Sequence, residues 1–461
     1  MYRLLLIVWV CLCSTSALAD QPNILFIMVD DLGKEWIGCY GAQGIETPNI
    51  DKLASEGMAF DNAWCMPQCT PTRVTLLTGQ YPFRHGWTNH WDVPRWGAGA
   101  HFDPSMNPSY PRVLRDAGYK TAAAGKWQID DFRVEPRAMD EAGFDQWAMW
   151  TGYETGIKAS ANRFANPYIA INGESKTHQG KYGPDVYSDF LIDFMREHKD
   201  QPMFLYFPMA LTHGPYDPTP DEPNPKTTQE AFAAMVRYTD KLVGQLVAEL
   251  ETLGIRDKTY IVFTTDNGTG NTIKNTRLGR SVKGAKAQMR EAGTAIPFIV
   301  TGPGVKPGSK TDALIDFSDM GPTFAELAGT TLTDDHTYDG QSFAPLLQGK
   351  ADDSPRQWIL SMGGNPAKLR GGRVVPTDRY DERVLRDKQY KVWVNGKGKI
   401  NKLYDMQADP WEQTNLLTAP DRTPEQAAAI EKFEAILGTF PKKDAAPAYQ
   451  PNPAQRWDRK R

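Results

Sequence analysis

Five apolar runs of strand length recur along the chain, and each gives way to polar residues. Strands are predicted over Asn23–Val29, ending at Asp30-Asp31, and over Thr121–Ala124, leading into Gly125-Lys126-Trp127. Three more are predicted over Met203–Leu211 before Thr212-His213, Tyr260–Thr264 before Asp266-Asn267-Gly268, and Ala295–Val300 before Gly302-Pro303-Gly304. The runs are continuous rather than alternating, so both faces of each strand expect burial. That is the pattern of a parallel sheet covered by helices. Between the runs lie helical periods. The clearest spans about Thr228 to Leu253, with Phe232, Met235, Val236, Leu242, Val243, Leu246, Val247, Leu250 and Leu253 on one stripe and Gly254 as its stop. Shorter helices are predicted over Asn49–Glu56 and Pro111–Ala117, each followed by glycine.

The pattern changes near Gly349 to Pro355. Beyond it, Tyr390–Val394 and Lys402–Tyr404 predict short strands of an antiparallel sheet, and Pro424–Leu437 predicts a helix. Pro441–Arg461, rich in Pro, Lys and Arg, reads as an extended surface tail. The expected fold is therefore α/β. A large, mostly parallel mixed sheet sandwiched by helices occupies residues 20–350, and a smaller C-terminal α+β domain on a short antiparallel sheet occupies residues 351–461. Residues 1–19 read as a signal peptide. Arg3 is followed by an apolar run from Leu4 to Cys13 and by Ala17-Leu18-Ala19 before Asp20, a run too short to span a membrane. Export to the periplasm or the medium follows.

Composition changes this picture little. The chain of 461 residues has a formal net charge of −4, which offers no basic field for nucleic acid. Of its 5 cysteines, Cys11 and Cys13 leave with the leader. Cys39, Cys65 and Cys69 remain, an odd number, so at least one has a fate other than an intramolecular disulfide.

Ligands of open α/β sheets bind beyond the carboxyl ends of the strands. Asp30-Asp31 and Asp266-Asn267 stand at two such ends and offer only hard oxygen donors, which suits Ca²⁺ or Mg²⁺ rather than Zn²⁺. Lys126 and His213 follow two other strands and bring cationic donors to the same cleft. Such a site fits a tetrahedral anion held between a divalent cation and basic side chains. The run Cys69-Thr70-Pro71-Thr72-Arg73 opens a short helix, with Cys69 at its positive end and Arg73 one turn along. That setting favours an activated sulfur, while the cysteine taken alone fits a buried structural position better.

The run from Cys69 to Thr78-Gly79 resembles the C-x-P-x-R core motif of the type I, formylglycine-dependent sulfatases of the alkaline phosphatase superfamily. The resemblance continues through Pro22–Asp31, Gly118–Trp127, Thr212–Pro215, Thr265–Gly268, Lys283-Gly284 with Arg290–Pro297, and Leu403–Asp405 with Asp409-Pro410 and Glu412–Leu416. It implies hydrolysis of sulfate esters through a formylglycine-sulfate intermediate, with Cys69 oxidised to formylglycine by a separate maturation enzyme. It implies one Ca²⁺ held by Asp30, Asp31, Asp266 and Asn267 with the modified Cys69. It gives Arg73 the task of holding the modified residue and the metal-ligand carboxylates, Lys126 and Lys283 contact with sulfate, and His213 protonation of the leaving oxygen. One position departs from the motif. Gln128 stands where the family has a histidine after G-K-W, and an amide can orient a hydroxyl but cannot act as a base. A sulfated carbohydrate is the expected substrate. The aromatic runs Phe83–Asp92 and Trp147–Tyr153 suit either sugar faces or ordinary packing. Hydrolysis of phosphonate or phosphate diesters on the same scaffold, and a non-catalytic binder of sulfated glycans, stay open as alternatives.

Overall fold

The computed structural model describes residues 21–89, 100–152, 154, 156–363, 368–370, 373–375, 380–451 and 453. The leader read over residues 1–19, the end of the first aromatic run at His90–Asp92, and Tyr153 lie outside the described residues.

A ten-stranded mixed sheet forms the centre. Its spatial order is Ser309–Asp316, Met58–Trp64, Phe298–Thr301, Thr259–Thr265, Asn23–Val29, Met203–Pro208, Lys120–Lys126, Gln146–Trp150, Tyr168–Ile171 and Glu174–Thr177. The first strand in the chain, Asn23–Val29, runs parallel to both its neighbours. Every side chain of that strand is buried. Ile24, Phe26 and Met28 enter the core on one face, with the Cys69–Thr78 helix and Met320–Leu327; Leu25, Ile27 and Val29 enter the core on the other, with Pro48–Glu56, Gly183–His198 and Thr228–Thr252. The unbroken apolar run thus has its cause in helices on both sides.

The strand expected at Ala295–Val300 forms over Phe298–Thr301 but runs antiparallel to both neighbours. The chain leaves Thr265 at the carboxyl end of the sheet, spends residues 266–297 there without a crossover helix, and must return in the opposite direction. Within that stretch the hairpin Lys274–Arg277 and Arg280–Lys283 pairs with Ala42–Gln43 in a three-stranded sheet.

The smaller antiparallel sheet has the order Ile359–Met362, Arg383–Arg386, Tyr390–Val394, Ile400–Asp405. The Pro424–Gly438 helix covers it through Ala429 and Phe433, opened by a capping box at Thr423. Over its described part the tail is extended and mostly at the surface, as expected, but it is anchored at three points. Asp444 is buried in an ion pair with Arg383 at 2.7 Å, Ala445 N–H donates to Phe83 O, and Gln450 N–H donates to Asp103. It ties Arg383 of the small sheet, whose buried guanidinium needs a charge partner, to the Pro82–His85 helix and to the loop at Asp103. No disulfide joins Cys39, Cys65 and Cys69. Among the described residues no helix is long and apolar enough to cross a membrane.

Candidate active site

Parallel strands place their carboxyl ends on one side, and four of them deliver polar residues there. Asp30-Asp31 follow Val29, Lys126 ends its own strand, and Asp266-Asn267 follow Thr265. The segment after Pro208 is held against the first strand. Asp30 N–H donates to Leu211 O at 2.7 Å, and Thr212 N–H donates to Asp30 O at 2.6 Å. His213 Nε2 thereby lies 3.8 Å from Asp31 Oδ2. Gly125, with φ of 133°, permits the close approach on the other side: a Cβ there would sit 1.9 Å from Pro208 O. Lys126 then reaches Asp30 Oδ2 at 2.6 Å.

The Cys69–Thr78 helix enters this array with its first residue. Pro71 lies in its first turn, where a missing N–H costs nothing, and Gly79 closes it in the left-handed conformation. All ten of its residues are buried. Cys69 Sγ lies 3.3 Å from Asp30 Oδ1, and Arg73 pairs with Asp266 at 2.7 Å while donating to Lys126 O at 2.6 Å. Single ligand atoms of Asp30, Asp31, Cys69 and His213 fall within 4.8 Å of one another.

The charges are mutually dependent. Burial opposes ionisation of Asp30, yet Lys126 and its other cationic neighbours hold it well below the usual carboxylate range. Burial and the nearby Asp30 charge push Asp266 up. Burial first, and then Lys286 beside it, push His213 down to about 3, so the imidazole stands neutral. The thiol departs from the sequence reading: burial, then Asp266 and Asp30, push Cys69 up, so the helix terminus does not give an activated sulfur. Asn267 donates to Asp31 Oδ1 at 2.7 Å and to Gly268 O, while its buried Oδ1 has no hydrogen-bond partner among the described residues. A buried carbonyl oxygen without a donor, beside three carboxylates, fits a hard divalent cation.

The family model Sulfatase matches residues 22–330, more than half of the chain, and a second, N-sulphoglucosamine sulphohydrolase, C-terminal, matches residues 285–437. The chain belongs to the sulfatase family. This sulfatase is 29% identical to human arylsulfatase A, over 96% of its own length and 92% of that protein's. It is 27% identical to an ulvan-active sulfatase of Formosa agariphila, over 88% and 78% of the two chains. The crystal structure of Ps i-CgsB superposes with a TM-score of 0.74 at 25% identity, covering 92% of this chain and 94% of that one. The enzyme is accordingly a sulfuric ester hydrolase of the alkaline phosphatase superfamily.

Asp30, Asp31, Cys69, Arg73, Lys126, His213, Asp266 and Asn267 of the sulfatase converge as described. Lys283 does not. It is exposed on an edge strand, opposite Lys274. The chain turns after it, where Gly284 N–H bonds Ile273 O and Lys286 N–H bonds Thr269 O, and Lys286 enters the cleft instead. Lys286 Nζ lies 2.6 Å from Asp31 Oδ1 and 3.4 Å from Cys69 Sγ. Burial works against its charge, but Asp31 and the Cys69 position hold it above the ordinary lysine range. The Lys-Gly pair marks Lys283 in the sequence, whereas Lys286, three residues on in the same segment, is the lysine that reaches Asp31 and Cys69. Arg163 gave no signal, since it lies in a loop without a motif. Its guanidinium stacks on Trp150 at 3.9 Å and lies 3.1 Å from His213 Nδ1. Gln128 is half-buried two residues beyond Lys126, with φ of 68°, beside Gly152. The described aromatic residues of the two runs, Phe83, Trp87, Trp147 and Trp150, are buried and serve packing.

Proposed function

We propose that this enzyme, exported and matured at Cys69, removes sulfate from a sulfated carbohydrate. The observation that carries the reading is the position of Cys69, between the Asp30 and Asp31 carboxylates and the Lys286 ammonium at the carboxyl ends of the central strands. A formylglycine at position 69, made by a maturation enzyme acting on the cysteine, supplies a geminal diol, one hydroxyl to attack sulfur and a second to let sulfate depart. Asp30, Asp31, Asp266 and Asn267 fit Ca²⁺, which when bound polarises the sulfate oxygens.

The chain's own groups do the rest. Arg73 fixes the Asp266 carboxylate and the Lys126 carbonyl, and so keeps the carboxylates from spreading. Lys126 and Lys286 face the sulfate oxygens and neutralise charge as it develops. A sulfate anion between them offsets the Lys286 charge, which after burial is the lesser cause of the lowered His213, and so favours the protonated imidazole that gives its proton to the sugar oxygen. Gln128, lacking a usable base, orients a hydroxyl. A carbohydrate substrate is supported by the ulvan-active relative and by the amino-sugar hydrolase name of the C-terminal family model. Export is supported by the leader pattern of residues 1–19.

The test joins mass and turnover. In protein made beside a maturation enzyme, the Cys69 peptide should be about 18 Da lighter than its thiol form, and sulfate should be released from 4-nitrophenyl sulfate. Cys69→Ser should abolish release, because serine can accept sulfate but has no second hydroxyl. An intact thiol in fully active protein would overturn the assignment.

A further inference from the structure

We propose that the cavity beside the Arg280–Lys283 strand binds a second anionic group of the same sulfated saccharide chain whose ester is cleaved at Cys69; this rests on the catalytic reading above. The cavity holds about 640 Å³, within the size of small-molecule sites, and none of the converging catalytic residues lines it. One wall is the Lys274–Lys283 hairpin. The other comes from the C-terminal loop carrying Trp411.

Its charge is unbalanced in one direction. Arg280, Lys283 and Arg290 line it, are exposed, and make no side-chain hydrogen bond or ion pair among the described residues. Lys34 is buried, with 7% of its surface exposed, and Nζ donates only to the Asp61 backbone oxygen, at 2.8 Å. The carboxylates that line the same space are mostly taken. Glu291 pairs with Arg386 at 2.8 Å, Glu412 with Lys391 at 2.9 Å, and Glu35 accepts from the Thr269 hydroxyl; among the described residues Asp61 alone is left. Because the whole chain is slightly acidic, this surplus is local and not part of a general positive field.

The remaining lining chooses the ligand. The Trp411 ring, with the Arg280 guanidinium 5.5 Å from its centre, offers a flat apolar face, and Asn271, Ser281 and Gln413 offer neutral hydrogen-bonding groups. Flat faces and mixed donors and acceptors suit a sugar ring, and free cations suit its sulfate or carboxylate. The wall also leads into the catalytic centre. Gly284 and Ala285 line the cavity, and the next residue, Lys286, touches Cys69. From Lys283 to Lys286 the chain can span at most about 10 Å, a reach that one chain of sugars can bridge.

The test uses the matured full-length enzyme, sucrose octasulfate as a polyanionic sugar, inorganic sulfate as a free anion, and 4-nitrophenyl sulfate as a small substrate. Calorimetric affinity for sucrose octasulfate should fall roughly tenfold in the double variant Arg280→Ala/Arg290→Ala. It should be retained in Arg280→Lys/Arg290→Lys, which keeps the charges. Turnover of 4-nitrophenyl sulfate should stay within about twofold in both. Wild-type affinity for sucrose octasulfate in the alanine variant would overturn the proposal, and so would an equal loss of affinity for inorganic sulfate, which would make the cavity a free-anion site. Absence of turnover in the wild type would sink the catalytic reading and leave the binding result standing.

Discussion

The cations at the ends of the central strands and those beside the Arg280–Lys283 strand are handled in opposite ways. In the cleft, Lys126, Arg73 and Lys286 each lie within 2.7 Å of a carboxylate, and Lys126 and Arg73 are almost wholly buried. Beside the hairpin, Arg280, Lys283 and Arg290 are exposed and meet no carboxylate among the described residues. The first arrangement fixes groups in place before substrate arrives, which is what stabilisation of a developing charge requires. The second leaves long side chains free to adapt, which suits recognition of a charged polymer and contributes little to folding.

The largest effect is expected at Arg73. Removing it leaves Asp266 buried without its partner, an arrangement that costs about 3–5 kcal/mol. Arg73→Ala should lose all detectable turnover and unfold at lower urea when assayed in chelator. Near-normal activity would remove Arg73 from the site. The next two variants stand three positions apart. Lys286→Ala should lower kcat/KM on 4-nitrophenyl sulfate by roughly a hundredfold or more, the scale for loss of one charge-stabilising donor. Lys283→Ala should change it by less than about twofold, the usual outcome for an exposed side chain with no ion pair. Equal losses in both would restore Lys283 to the cleft.

These lysines also show where sequence reading succeeds and where it stops. The run Asn23–Val29 has its full length legible because both faces are covered, so nothing polar interrupts it before Asp30. The stripe predicted from Thr228 matches a helix at Thr228–Thr252 for the same reason, a wide buried face. Cys69, Arg73, Lys126 and the acidic pairs were legible because each sits at a strand end or helix start. The hairpin carrying Lys283 was not, since Lys274–Arg277 and Arg280–Lys283 have few apolar residues and pair mainly through the backbone. Without that hairpin, nothing in the spacing says which lysine turns inward. The reversal of Phe298–Thr301 depends on the same missing piece. The anchoring of Asp444 depends on a guanidinium sixty-one residues earlier in the chain, and no local pattern marks such a pair.

Gln128 gives a smaller effect. Its left-handed backbone, with φ of 68°, is one that histidine also adopts more readily than most residues, so Gln128→His adds little strain. Turnover of 4-nitrophenyl sulfate should stay within about threefold or rise, if the amide only orients a hydroxyl. Complete loss would show that the amide itself is required.

Lys34 sharpens the contrast by the least expected effect, on stability alone. It is buried below the free cations, and burial first, then the Arg277 guanidinium, lower it from 10.5 to about 7; Arg386 acts in the same direction, while Glu291 and Asp61 oppose both. The folded protein therefore releases this proton near pH 7, whereas the unfolded chain keeps it to about 10.5. Between those values the unfolded state binds more protons, so this group makes stability rise with pH. Below pH 7 its full penalty is present. Lys34→Met removes that penalty, so its gain in melting temperature over the wild type should be larger at pH 6 than at pH 9. An anion held beside Lys34 favours the charged form. Saturation with sucrose octasulfate should then narrow the gap at pH 6, because the wild type gains an interaction that the methionine variant cannot make. An unchanged gap would detach Lys34 from the cavity's ligand and leave the exposed arginines as its only cationic contacts.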